Sequence, residues 1–137
     1  MTRAALHQRL ALAGFAAGAG MLAWRAAEAA AASAPALFLL SGVGLGMFVA
    51  GAILLLGAVM QGRAAGTLNV FQDPDSRAAT VRALYAGVAT TFIAAGVAVL
   101  VVTLGGGPAA PLDLVLAFGA AAFLLTFAWG YAQLARR

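Results

Sequence analysis

The chain has 137 residues, of which 64% are hydrophobic and 9% are charged, whereas a soluble domain has about 45–50% apolar and about 25% charged residues. This composition excludes an ordinary soluble globule, and the lack of cysteine excludes disulfides and thiolate metal ligands. The formal net charge of +4 comes from arginines without lysine. In so apolar a chain these arginines indicate the flanks of membrane spans rather than a nucleic-acid-binding surface, and we expect no nucleic-acid partner.

Four apolar runs predict an all-α integral membrane protein, an antiparallel bundle of four transmembrane helices that forms one domain over residues 1–137. The first span is expected over about 4–32. The uncharged run between Arg9 and Arg25 is short for a bilayer core of about 30 Å, but arginine side chains can extend to the headgroups from both ends. Its basic start and small-residue end also resemble a signal peptide, yet we expect this segment to be retained as a span.

The second span is expected over about 36–61, where 25 consecutive residues from 36 to 60 carry no charge. The connection at Ser33–Pro35 is short, so the first two spans are expected to be antiparallel neighbours. The other two spans are expected over about 75–104 and 112–135, separated by glycines and prolines that cannot continue a helix.

A polar loop at about 62–74 lies between the second and third spans. It ends at Asp73 and Pro74, a pair that predicts a helix N-cap followed by proline in the first turn. Apart from Arg25, every arginine lies near a terminus or this loop. Because cytoplasmic segments carry the excess of basic residues, we expect the loop and both termini to be cytoplasmic.

The use of arginine without lysine, together with abundant alanine and glycine, is typical of a GC-rich bacterial genome. The expected location is therefore the inner membrane of a bacterial cell. The cytoplasmic arginines are also expected to attract anionic lipids.

No constellation of residues predicts a catalytic, metal or cofactor site. His7 is the only histidine and cannot by itself provide paired haem ligands, so we expect it to be solvated or interfacial. Asp73 and Asp75 could ligate a metal, as in lipid headgroup transferases with aspartate clusters, but their context favours helix initiation. We therefore expect neither enzyme activity nor a bound cofactor.

Arg25 and Glu28 are three residues apart on one helix face, which makes them a candidate interfacial ion pair beside Trp24. Buried at bilayer depth, these ions would mark a transport or coupling site, since each costs about 2.5–3.5 kcal/mol there. Their place near the end of the first span favours the interfacial interpretation.

Two features predict contact surfaces. Small residues four positions apart allow helices to approach closely, and the candidate helix-packing pairs are Gly14 with Gly18 and Gly42 with Gly46. Bulky aromatic residues in the fourth span either contact lipid and set its depth or form a docking face for another membrane subunit. This candidate partner-docking set is Phe118, Phe123, Phe127, Trp129 and Tyr131.

These features favour a non-catalytic small integral membrane subunit that stabilises or assembles a larger membrane protein complex. The alternative is a small homo-oligomeric transporter or channel for small or apolar molecules. The spans offer few groups that could replace the hydration shell of a polar solute, which disfavours the alternative. The expected partners are other membrane protein subunits or further copies of the chain, together with anionic lipids.

Overall fold

The computed structural model describes residues 2–31, 34–67, 72–106 and 111–137. These residues form four α-helices and no β-strand: α1 (Arg3–Ala30), α2 (Leu37–Ala64), α3 (Pro74–Gly105) and α4 (Leu112–Arg136). All four helices are long and apolar enough to cross a membrane, by length and composition. Ser33, in the predicted first connection, lies outside the described residues, as do Gly107 and Pro108 in the last one.

Two of the helices begin at side-chain caps. The Thr2 hydroxyl accepts a hydrogen bond from the backbone N–H of Ala5 at 3.2 Å, and the Asp73 carboxylate accepts one from Ser76 at 3.1 Å. Pro74 follows Asp73 in the first turn of α3, so the predicted cap is confirmed. Such caps satisfy backbone donors that the first helical turn leaves without partners.

Hydroxyl groups within the helices donate to carbonyls of the preceding turn. Ser41 bonds to the carbonyl of Phe38 at 2.6 Å, and Thr91 bonds to that of Gly87 at 2.9 Å. These side chains are satisfied within their own helices, as apolar surroundings require.

The helices pack in the order α2, α1, α4, α3. Helix α1 contacts both α2 and α4, whereas α3 contacts α4 alone and, within the described ranges, α2 and α3 do not meet. We call this arrangement the open layer. It leaves each outer helix with a single packed side, and most large apolar side chains of α2 and α3 are exposed.

Glycines allow α1 and α2 to touch backbone to backbone. A Cβ atom on Gly44 would overlap the backbone nitrogen of Trp24, and one on Gly51 would overlap that of Ala17. Gly20 lies equally close to the backbone of α2. The contacting positions of α2 repeat with a spacing of seven residues through Gly44, Gly51 and Ala58. This spacing is typical of helices that pack side by side with a small angle between their axes.

The predicted helix-packing pair Gly42 and Gly46 does not take part in this contact. Gly42 and Gly46 face away from α1, and a Cβ atom on either would meet nothing within 4 Å. The contact is formed instead by Gly44 and Gly51, because a residue two positions further along a helix points about 200° away. Four-residue spacing identifies a face but not the neighbour that covers it.

Gly14 and Gly18 lie on the side of α1 that faces α4. A Cβ atom on Gly14 would lie 3.0 Å from the Cβ of Ala128, and one on Gly18 would lie 2.8 Å from the Leu125 side chain. On its other side α4 meets α3, where Gly87 approaches the backbone of Gly119. Small residues therefore set the distance between neighbours at all three helix contacts.

The aromatic residues of α4 do not form one outward surface. Phe127 and Tyr131 are buried inside the layer, and Phe118 and Phe123 are half-buried, while Trp129 is exposed. Phe127 packs between its neighbours Phe123 and Tyr131, with ring centroids 6.0 and 4.6 Å away. The chain itself covers Phe127 and Tyr131, so of the candidate partner-docking residues Trp129 alone has a largely exposed side chain.

Candidate functional site

Polar side chains from three helices converge at the end of the layer where α1 and α3 begin and α4 finishes. We call Arg3, His7, Asp73, Ser76 and Tyr131 the polar cluster. It contains both buried side-chain atoms that have no hydrogen-bond partner among the described residues, His7 Nε2 and the Tyr131 hydroxyl.

Asp73 organises the exposed edge of this cluster. Its carboxylate caps α3, accepts a hydrogen bond from the Ser76 hydroxyl at 2.9 Å and forms an ion pair with Arg3. The hydrogen bond from Arg3 holds the pKa of Asp73 below its ordinary value, with the two bonds from Ser76 acting in the same direction. Asp73 is therefore ionised at neutral pH and joins the start of α1 to the start of α3.

Tyr131 lies behind this edge and is completely buried. Its hydroxyl faces the hydroxyls of Ser76 and Thr80 without reaching hydrogen-bond geometry with either. Ser76 donates its proton to Asp73 and Thr80 donates to the Ser76 carbonyl at 2.8 Å. Both hydroxyls therefore present acceptor lone pairs to Tyr131, but the Tyr131 O–H forms no hydrogen bond with either of them in this arrangement.

His7 packs against the Tyr131 ring, with ring centroids 5.5 Å apart. The sequence predicts a solvated or interfacial histidine, but His7 is only 5% exposed. The reason is its position on the side of α1 that also carries Ala11 and Gly14, which packs against α4. The expected solvation of His7 is therefore wrong, and its imidazole belongs to the packed interior at this end.

The cluster has the chemistry of a hydrogen-bonding site. A buried polar atom without a partner costs about 1–3 kcal/mol, and such atoms in a folded protein call for an explanation. The imidazole and the phenol are both able to donate or accept a proton or a hydrogen bond. No group of three or more metal-ligating side chains occurs within the described ranges.

A second group of charged residues lies at the other end of the layer, where α1 ends and α4 begins. Arg25 donates a hydrogen bond to Glu28 at 2.6 Å and also forms an ion pair with Asp113 in the first turn of α4. Its guanidinium lies 5.5 Å from the centre of the Trp24 ring. The structure thus brings the candidate pair of Arg25 and Glu28 together and adds a carboxylate from another helix.

Sequence reasoning missed both long-range partners, Tyr131 for His7 and Asp113 for Arg25. One signal was present: 18 residues separate His7 from Arg25, and 18 separate Asp113 from Tyr131. Because these two spacings are equal, α1 and α4 can form both contacts, His7 with Tyr131 and Arg25 with Asp113, in a single alignment.

Comparison of the chain with protein-family models, with curated proteins and with solved structures gives no significant match.

Proposed function

We propose that the protein is a small non-catalytic subunit of the bacterial inner membrane that stabilises or assembles a larger membrane protein complex. It crosses the membrane four times as an antiparallel bundle, with both termini and the loop between α2 and α3 in the cytoplasm. The topology and the partner surface are supported by different observations.

The antiparallel arrangement is supported by the contacts between α1 and α4. His7 near the start of α1 meets Tyr131 near the end of α4, and Arg25 near the end of α1 pairs with Asp113 at the start of α4. The polar cluster shares its end of the layer with most of the arginines. Basic residues concentrate on the cytoplasmic side, so this end is the cytoplasmic one.

The topology can be tested with single cysteines, because the chain has none of its own. Gln72→Cys and Ala29→Cys both place a thiol at an exposed position. In spheroplasts, a membrane-impermeant thiol reagent is expected to label the cysteine at 29 at once and the one at 72 only after permeabilisation. Labelling of position 72 in intact spheroplasts would contradict the proposed orientation, and the unaltered chain is the blank.

The open layer supports a role in assembly. Helices α2 and α3 each have one packed side, and their remaining surface carries exposed large apolar side chains such as Phe38, Leu39 and Phe92. Lipid solvates such surfaces, so exposure alone does not require a protein partner. It does leave room for another helix along either edge of the layer.

Glycines on the outer face of α2 indicate where a helix of the partner subunit would bind, and this observation carries the proposal. Gly42, Gly46 and Ala50 are exposed at four-residue spacing, and neither glycine packs against any described residue. Each glycine costs up to about 1 kcal/mol of helix stability relative to alanine. Nothing among the described residues compensates for this cost, whereas close approach of a second transmembrane helix would.

The partner surface is tested by purification of the tagged chain in mild detergent from the cells that natively produce it. We expect other integral membrane polypeptides to co-purify at constant stoichiometry and to be lost with Gly46→Leu, whose side chain would hold the partner helix away. Gly96→Leu is the matched control, since Gly96 in α3 is equally open, and it should retain the partners.

Recovery of copies of this chain alone, with both variants unaffected, would contradict an accessory role. That result would favour the homo-oligomeric transporter or channel instead.

A further inference from the structure

A groove of about 640 Å³ runs between α1 and α2 on the surface of the open layer. Its floor is made of small side chains, of which Ala13 and Ala58 are buried, and its walls include Leu12, Ile53 and Leu54, which are 62–65% exposed. This volume lies within the range of about 300–1,000 Å³ typical of ligand sites. The groove is open along its length, so an occupant can enter sideways from the bilayer.

The groove is apolar except at one end, where Arg9 and Gln61 line it. Among the described residues Arg9 takes part in no ion pair, unlike Arg3 and Arg25. The end therefore presents an uncompensated cation and a neighbouring amide. A long apolar groove with an unpaired guanidinium at one end is complementary in charge and polarity to an amphipathic anion.

The length of the groove fits one leaflet of a bilayer. Ile53 and Gln61 are eight residues apart on α2, which corresponds to about 12 Å along the helix axis. Half of a hydrocarbon core of about 30 Å is about 15 Å. With Arg9 at headgroup level, the groove extends through most of the depth that an acyl chain occupies.

From these observations we infer that the groove between α1 and α2 binds one anionic phospholipid of the cytoplasmic leaflet. Arg9 and Gln61 contact the phosphate and the ester region, and one acyl chain lies along Ala13, Gly57 and Ala58. The inference depends on the proposed membrane insertion but not on the proposed partner subunit. It differs from general attraction of lipid to cytoplasmic arginines, because it assigns one lipid to one site.

The site is tested by native mass spectrometry of the full chain in detergent, titrated with phosphatidylglycerol or phosphatidylcholine. We expect one phosphatidylglycerol to bind in preference to phosphatidylcholine. Arg9→Gln should weaken phosphatidylglycerol binding about tenfold or more, since it removes a charge-assisted hydrogen bond. Arg136→Gln, which removes an exposed arginine outside the groove, should leave that binding unchanged.

A second variant tests the apolar part of the site. A Cβ atom on Gly57 meets nothing within 4 Å, so Gly57→Phe can place its ring in the groove without disturbing the fold and should abolish binding of the first lipid. Equal weakening by Arg9→Gln and Arg136→Gln, or undiminished binding to Gly57→Phe, would overturn the inference. A change in the number of chains per particle in Gly57→Phe, with lipid binding intact, would assign the groove to a second copy and would also overturn it.

Failure of this site can be told apart from failure of the proposed function. Loss of partners in Gly46→Leu and loss of lipid in Arg9→Gln are separate measurements on separate variants.

Discussion

Gly44→Ala is expected to destabilise the protein by about 1–3 kcal/mol, the usual cost of forcing extra volume into a packed contact. The added methyl group would overlap the backbone of α1 at Ala23 and Trp24. Backbone atoms cannot rotate aside as a flexible side chain can, so α1 and α2 must separate along the contact. The loss is measured by unfolding in increasing fractions of a denaturing detergent, followed by circular dichroism.

Fluorescence gives a local readout of the same change. Trp24 stacks on Phe48 across this contact, with ring centroids 5.9 Å apart, so separation of the helices should alter its emission. A Trp129→Phe background leaves Trp24 as the only tryptophan.

Gly42→Ala is the matched control for Gly44→Ala, and its expected effect has the opposite sign. Both glycines lie in α2, but the methyl group at position 42 meets open space. Alanine favours the helix over glycine by up to about 1 kcal/mol, so the isolated chain should be unchanged or slightly more stable. Equal destabilisation by the two substitutions would show that the contact between α1 and α2 does not lie at Gly44.

Tyr131 is expected to give two opposite results according to its replacement. Tyr131→Ala removes a fully buried ring that packs against His7 and Phe127, and it should cost about 3–5 kcal/mol as other buried aromatic truncations do. Tyr131→Phe keeps the ring and removes a buried hydroxyl that has no hydrogen-bond partner. Since burial of such a group costs about 1–3 kcal/mol, the phenylalanine variant should be as stable as the parent or about 1 kcal/mol more stable.

Unfolding of both Tyr131 variants in the same detergent titration tests the polar cluster. Tyr85→Phe, in which the exposed tyrosine of α3 loses its hydroxyl, controls for the chemical change and should be neutral. A loss of more than about 1 kcal/mol in Tyr131→Phe would contradict the expectation. It would mean that the hydroxyl is hydrogen-bonded in the folded protein.

The elements of the fold could be predicted from residues that are close together in the chain. Asp73 and Pro74 start α3 because a cap and a proline act on the adjacent turn. Ser41 and Thr91 satisfy their hydroxyls on carbonyls three or four residues earlier. The number, extent and apolar character of the helices likewise follow from runs of residues, whatever the other helices do.

The neighbours of each helix could not be predicted in the same way. In a soluble protein an amphipathic stripe marks the face that is buried, but α2 and α3 are apolar on nearly every side. Lipid is as apolar as the packed interior, so hydrophobicity does not distinguish Gly42 from Gly44. For the same reason the aromatic residues of α4 do not reveal from the sequence whether they face lipid or the protein interior. In the structure Phe127 and Tyr131 face the interior.

The polar cluster shows the same division. Its members come from three helices, and Arg3 and Asp73 are 70 positions apart in the chain. Four long apolar helices, the cap of α3 and the distribution of arginines follow from the amino-acid sequence alone, because they depend on composition and local hydrogen bonding. The order α2, α1, α4, α3, the glycines at the contacts and the burial of His7 beside Tyr131 emerge from the folded arrangement, because they depend on shape complementarity between distant segments that are equally apolar.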